Sequence, residues 1–166
     1  MNQYETVTHT FAPVWNKHSK ILILGTFPSV KSREMQFYYG HPQNRFWKML
    51  AQIYKESVPS SIEEKKRLIL NHELAIWDVI AKCDILGSSD SSIRNVVINN
   101  IAGLVEKSQI HTIVANGAKA FELYEKYQLK HTGIPAKKLP STSPANAAWK
   151  LERLVKEWGD ALISNR

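Results

Sequence analysis

The side chains best equipped for chemistry fall in three short segments and two isolated positions. The first segment is Gly25-Thr26-Phe27-Pro28-Ser29. Its glycine lets a ligand approach the backbone, and its proline fixes the turn so that neighbouring N–H groups can face that ligand. It lacks the Gly-Lys-Ser/Thr ending of a phosphate loop, which argues against ATP or GTP hydrolysis. Taken alone it also reads as an ordinary strand-to-loop turn. The second segment, Phe37 to Trp47, holds five aromatics in eleven residues, interleaved with His41, Asn44 and Arg45. Flat rings make a stacking platform for a nucleobase, worth about 1–3 kcal/mol per base. Phe46 and Trp47 read as anchors of the next helix, whereas Tyr38, Tyr39, His41 and Asn44 suit a site. The third segment sets Ser141-Thr142-Ser143 between Pro140 and Pro144, with Asn146 close behind. Small hydroxyl residues opening a helix suit a phosphate grip by backbone N–H groups. An N-cap at Ser143 with Pro144 as first helical residue explains the same letters, and both readings can hold together.

Asp78 and Asn116 are the isolated positions. Asp78 is the first polar residue after an apolar run and serves equally as a ring N–H acceptor or as a cap. Asn116 precedes Gly117, a pair that favours tight turns but also places an amide where a base can be read.

These residues need elements to carry them. Ile21-Leu22-Ile23-Leu24 reads as a buried parallel strand ending at Gly25. Leu74-Ala75-Ile76-Trp77, ending at Asp78, Thr112-Ile113-Val114-Ala115, ending at Asn116, and Ala136 to Leu139 read as three more. Helical spacing spans Phe46 to Tyr54. A capping box of Ser60 and Glu63 opens a helix to about Asn71. Further helices are expected over 99–107, from Gly117 to about Tyr127, and over 144–163. Alternating strands and helices imply right-handed crossovers and a parallel sheet covered on both faces, an α/β architecture. With no repeat and no linker, one domain is expected over 1–166. Ligands of such sheets bind beyond the carboxyl ends of the strands. The residues just past the four ends are Gly25–Ser29, Asp78, Asn116-Gly117 and 140–146, the same chemistry-bearing set.

Composition narrows the partners. The chain has 166 residues, 22 Lys and Arg against 15 Asp and Glu, and a net charge of +7, which favours a polyanion. Lys31, Arg33, Arg45, Lys137 and Lys138 flank the motifs, while Lys65-Lys66-Arg67 suit a solvated helix face. The single cysteine, Cys83, excludes an internal disulfide, a four-cysteine zinc site and an iron–sulfur cluster. It reads as a small buried hydrophobe. No His/Asp/Glu spacing suggests metal ligands, and no cofactor is expected. No apolar run approaches the roughly 20 residues that cross a bilayer, and the N-terminus is unlike a signal peptide. A cytosolic monomer is expected.

Together, Gly25-Thr26-Phe27-Pro28-Ser29, Tyr39-Gly40-His41-Pro42-Gln43-Asn44-Arg45-Phe46-Trp47 and Pro140-Ser141-Thr142-Ser143-Pro144-Ala145-Asn146 resemble the uracil-DNA glycosylase superfamily. The likeness is greatest to its hypoxanthine-acting branch, the DNA-deoxyinosine glycosylases, and spans roughly 21–158. It implies a three-layer α/β/α sandwich around a four-stranded parallel sheet, with monofunctional cleavage of an N-glycosidic bond after base flipping. In many members an Asp or Asn of the first motif positions the attacking water. Phe27 takes that place here, and the resemblance passes the catalytic role to Asn44. The last motif often begins with a histidine that stabilises the departing base, where this chain has Leu139. Both departures weigh against efficient uracil removal.

The implied base pocket comprises Gly25, Thr26, Phe27, Tyr38, Tyr39, His41, Asp78 and Asn116. Pro28, Ser29, Ser141, Thr142, Ser143, Asn146, Lys137 and Lys138 would meet the DNA backbone, and Ala145 or Asn146 would fill the vacated stack. Phe37, Tyr38 or Tyr39 would stack on the base. No lysine sits within a motif as a Schiff-base nucleophile, so lyase chemistry is not expected. Two rivals remain open at this level: a non-catalytic nucleic-acid-binding module, and a small-molecule enzyme on a flavodoxin-like sheet.

Overall fold

A computed structural model describes residues 3–164. In chain order its first half runs β1 (Glu5–Thr8), β2 (Ile21–Gly25), α1 (Val30–Met35), α2 (Phe46–Ile53), α3 (Ile62–Asn71) and β3 (Leu74–Asp78). Then follow β4 (Ile80–Ile85), β5 (Arg94–Ile98), α4 (Ile101–Glu106), β6 (Thr112–Asn116) and α5 (Ala118–Tyr127). The short α6 (Leu129–Thr132), β7 (Ala136–Leu139) and α7 (Leu151–Ser164) close the chain.

The expected four-stranded sheet is present, in the order β3-β2-β6-β7 with every pairing parallel. The two-residue period of a strand distributes its apolar run over two cores. Ile21 and Ile23 of β2, Ile76 of β3 and Val114 of β6 face a core built with Phe46, Leu50, Leu68, Leu154 and Trp158. Leu22, Leu24, Ala75 and Ile113 face the other core, with Ile101, Leu104, Leu123 and Tyr124. Helices on both faces of this sheet give the α/β/α layering that the alternating elements imply.

One feature lies outside the sequence reading. β1, β4 and β5 form a second, antiparallel sheet in the order β1-β4-β5. β4 follows β3 after the single residue Val79, whose N–H donates to the Gly25 carbonyl at 2.9 Å, and the Ile80 N–H then bonds Thr26 O at 3.2 Å. The chain thus changes sheets without any turn residue. Cys83, on β4, is 1% exposed and packs among apolar neighbours, and that burial pushes its thiol up to about 11.

Two helix starts differ from expectation. The capping box is shifted by one residue: Ser61 caps α3 by accepting from the Glu64 N–H, and the Glu64 carboxylate reaches back to the Ser60 N–H at 2.7 Å. The last helix begins at Leu151, not at Pro144. The carbonyls of Ser143, Asn146 and Trp149 are instead taken by the Arg45 guanidinium. A tertiary donor replaces the helical partners, so 141–150 stays a loop. No helix among the described residues is long and apolar enough to cross a membrane.

Candidate active site

β2 and β6 are neighbours at the centre of the sheet. The connection leaving β2 leads to β3 on one side, and that leaving β6 leads to β7 on the other. Such a divergence opens a crevice at the strand ends. A cleft of about 340 Å³ lies there, lined by Gly25 to Ser29, the aromatic loop, Asp78, Asn116 and the turn from Ser141 to Ala145. That volume falls within the range of small-ligand sites, roughly 300–1,000 Å³.

Thr142, with no exposed surface, ties two amides of the cleft together. The Asn116 Nδ2 donates to Thr142 Oγ1 at 3.1 Å, and that hydroxyl donates to Asn44 Oδ1 at 2.8 Å. Backbone donors fix the direction of the chain at both ends. The Thr142 N–H bonds Asn116 Oδ1 at 3.1 Å, and the Phe46 N–H bonds Asn44 Oδ1 at 3.0 Å. An N–H needs an oxygen opposite it, so neither amide can flip without losing a bond. Asn44 Oδ1 therefore carries two donors already, and what Asn44 has left to offer a ligand is its Nδ2 donor.

The floor is built around Asp78. Its Oδ2 meets His9 Nε2 at 2.8 Å, with the two side chains only 5% and 2% exposed. A Cβ on Gly25 would stand 2.4 Å from Asp78 Oδ1 and 3.1 Å from the Tyr39 hydroxyl, so only glycine fits under them. Among the described residues the Tyr39 hydroxyl is buried and meets no hydrogen-bond partner, beside Asp78 and Asn116. Burial, and after it the Asp78 carboxylate, pushes both the Tyr38 and the Tyr39 hydroxyl far above the ordinary range. Tyr39 thus presents a protonated donor that its own fold leaves unused. The cap reading of Asp78 does not hold, because its carboxylate meets His9 and, among the described residues, no backbone N–H.

The remaining expected residues sort by position. Thr26, Phe27, Pro28, Ser29, Tyr38, His41, Ser141 and Ser143 line the cleft alongside those already placed. Phe27 is 8% exposed, with the Arg33 guanidinium 5.8 Å from its ring centroid. Phe37 packs in the core against Trp47 and Tyr38, away from the cleft, so it is no stacking platform. The ring of Tyr39 is stacked at 4.1 Å on Phe46, which covers one of its faces. Thr142 is too deep to touch a phosphate and acts as the bridge instead. The turn also uses its N–H groups internally: Ser143 N bonds Ser141 Oγ and Ala145 N bonds Ser143 Oγ, each at 3.1 Å. A backbone grip on phosphate by those donors is therefore not preformed. Lys137 lies exposed on β7 outside the cleft, and Lys138 and Asn146 line a neighbouring groove. Arg45, expected to add charge for DNA, is spent on the loop carbonyls.

Sequence reasoning missed His9, Ser32, Ser88 and Asp90. His9 follows a strand whose partner lies about 75 residues away, so no local spacing could place it beside Asp78. Ser88 and Asp90 belong to a polar loop with the composition of any surface turn, yet both line the cleft. Asp90 keeps part of its surface in solvent, but burial of its carboxyl side and, after it, the Asp78 carboxylate raise it to about 6, against the opposing pull of Lys119 and the Thr26 hydroxyl.

Comparison with known proteins agrees with this geometry. The family model of the uracil DNA glycosylase superfamily matches residues 12–162. The chain belongs to that superfamily. It is 38% identical over 150 residues to a hypoxanthine DNA glycosylase of Methanosarcina acetivorans, covering 89% of this chain and 93% of the relative. A hypoxanthine DNA glycosylase of Methanosarcina barkeri is 31% identical over 153 residues, covering 91% and 95%. A solution NMR structure of a Methanosarcina acetivorans protein, a candidate uracil DNA glycosylase, superposes with a TM-score of 0.78 at 35% identity. That match covers 92% of this chain and 94% of the other.

Within the uracil DNA glycosylase superfamily, Phe27 and Leu139 are the departures noted from sequence. The ring of Phe27 faces the cleft, whereas Leu139 is 2% exposed in the core and offers the cleft nothing. Polar chemistry at this site rests with other lining groups, among them the amides, the tyrosine hydroxyls, His41 and the carboxylates.

Proposed function

We propose that this protein is a monofunctional DNA glycosylase that flips a deaminated base, hypoxanthine foremost, out of DNA and hydrolyses its N-glycosidic bond. The observation that carries the reading is the chain from Asn116 through Thr142 to Asn44, which gathers two immobilised amides on one crevice. Both curated relatives bear the matching name.

Deamination turns the amidine edge of adenine into a lactam, a carbonyl beside a ring N–H. Asn116 meets Thr142 with both amide atoms, and the Nδ2 hydrogen left after those bonds is a donor suited to the carbonyl of that edge. A free amide would rotate to accept adenine as well. This one is held by the Thr142 N–H, so adenine would meet donor against donor. Tyr39 adds an unused donor beside it, and Phe27 offers a ring face for stacking.

As the bond breaks, negative charge gathers on the purine and positive charge on the sugar. Donors already fixed in the cleft stabilise the purine charge without reorganising. Asn44 holds the water through Nδ2, a positioning role suited to a dissociative reaction. Among the described residues the cleft lining contains no lysine, consistent with water rather than an amine as nucleophile.

The test is a panel of oligonucleotides carrying inosine, uracil or xanthine, incubated with the protein and then treated with alkali. Alkali-labile sites at inosine are expected, with Asn44→Ala about 100-fold slower yet still binding abasic product. Retardation on a gel without cleavage at any lesion would establish a binding module instead.

A further inference from the structure

The attacking water must give up a proton, and the amide that holds it cannot take one. Asn44 Oδ1 already accepts from the Phe46 N–H and the Thr142 hydroxyl. His41 Nδ1 accepts from the Gln43 N–H at 3.1 Å, so its neutral ring shows the cleft a donor. Tyr38 and Tyr39 are held protonated by burial. Two carboxylates line the cleft among the described residues, Asp78 and Asp90. Asp78 lies in the floor with Oδ2 on His9 and Oδ1 against Gly25. Asp90 is the acceptor that remains.

Asp90 lines the same cleft as Asn44. Asp90 lines both the cleft and the groove beyond the Ser141–Ala145 turn, and so stands at the rim between them. The loop carrying it is stapled down. Ser88 Oγ accepts from the Val30 N–H at 2.8 Å, Arg33 Nη2 donates to Gly87 O at 3.1 Å, and Ser92 Oγ accepts from the Leu86 N–H at 2.9 Å. Among the described residues no backbone donor bonds its carboxylate, and the Thr26 hydroxyl is its side-chain hydrogen-bond partner.

We propose that Asp90 is a second catalytic residue of this cleft, the general base that accepts the proton of the water held by Asn44. The inference rests on the glycosylase reading above. The C1′–N9 bond breaks with its electron pair passing to the purine, and the water oxygen bonds to C1′. The water's proton goes to the Asp90 carboxylate and from there to solvent, while the purine anion takes a proton from solvent. Between these events the same carboxylate faces the positive sugar.

Burial and, after it, Asp78 of β3 push the carboxyl up to about 6, while Lys119 of α5 and the Thr26 hydroxyl pull it down. Tyr39 and Cys83 feel its charge, and Lys138 and Glu157 line the groove it shares. A base must be deprotonated to act, so kcat/KM should rise with pH through about 6 and then level, keeping about a tenth of its plateau at pH 5.

The experiment measures kcat/KM on an inosine oligonucleotide from pH 5 to 8.5 for the unaltered protein, Asp90→Asn and Asp90→Glu. Thermal melting and binding of abasic-product DNA are measured in parallel. Asp90→Asn should be about 100-fold slower or more on the plateau, with no rise near pH 6 and unchanged product binding. Asp90→Glu should recover part of the rate together with the pH-dependent rise. A rate for Asp90→Asn within about threefold of the unaltered protein, or the same rise near pH 6, would overturn the assignment. So would product binding that falls as far as the rate. If the unaltered protein releases no base from any lesion, the glycosylase reading itself fails, and this role with it.

Discussion

Replacing Thr142 by valine keeps the shape of the side chain and deletes only the hydroxyl that links the two amides. Thr142 has no exposed surface, so no water can enter as a substitute without displacing protein atoms. Two hydrogen bonds disappear, the one from Asn116 Nδ2 and the one to Asn44 Oδ1. At about 1 kcal/mol each, with a further penalty for the buried donor left unpaired, the loss is about 2–3 kcal/mol. For a chain of this size that lowers the melting temperature by roughly 5–10 °C. Asn44 keeps its bond from the Phe46 N–H but loses its second anchor, and loosened positioning of this kind can cost about 100-fold in turnover. Thr142→Ser is the control. It retains both hydrogen bonds and gives up one methyl, for about 1 kcal/mol and a turnover within about threefold. Chemical denaturation and single-turnover excision on an inosine oligonucleotide measure the two effects separately. If Thr142→Val is destabilised as stated yet excises base as fast as Thr142→Ser, the amide chain does not position the reaction.

Gly25→Ala should cost about 1–3 kcal/mol, because its Cβ would fall 2.4 Å from Asp78 Oδ1, on a carboxylate that His9 holds through its other oxygen. Melting curves give that cost, and excision should fall with it as the floor is displaced; an unaltered melting point would show that the Asp78–His9 pair moves freely. Joint replacement of Lys137 and Lys138 by alanine should weaken binding equally for every lesion and reduce the salt slope by about 2, since both lie outside the cleft. A change in base preference instead would place them nearer the base than β7 allows.

Much of the sheet was legible from letters alone. Ile21 to Leu24, Leu74 to Trp77 and Thr112 to Ala115 are uninterrupted apolar runs, and a strand buried on both faces can look no other way. Parallel strands then oblige their polar ends to lie along one edge, so Gly25, Asp78 and Asn116 had to be neighbours once the strands were known. The aromatic loop was legible only as a group. Which of its rings face the cleft depended on Trp47 and Phe37 pairing inward, a choice made by packing. The start of α7 was misread because Ser143-Pro144 is a sound local helix opening, and the guanidinium that captures the carbonyls after it comes from Arg45, about a hundred residues earlier.

The sequence by itself therefore determined the strand runs, the rim on which a ligand must sit and the three motifs that point to the superfamily. Periodicity and turn chemistry are local properties, carried by residues a few positions apart. Only the tertiary structure decided that Thr142 joins Asn44 to Asn116, that His9 holds Asp78, and that Asp90 lines the cleft. Each of those contacts links segments tens of residues apart, and a hydrogen bond leaves no periodic trace in the chain between its partners.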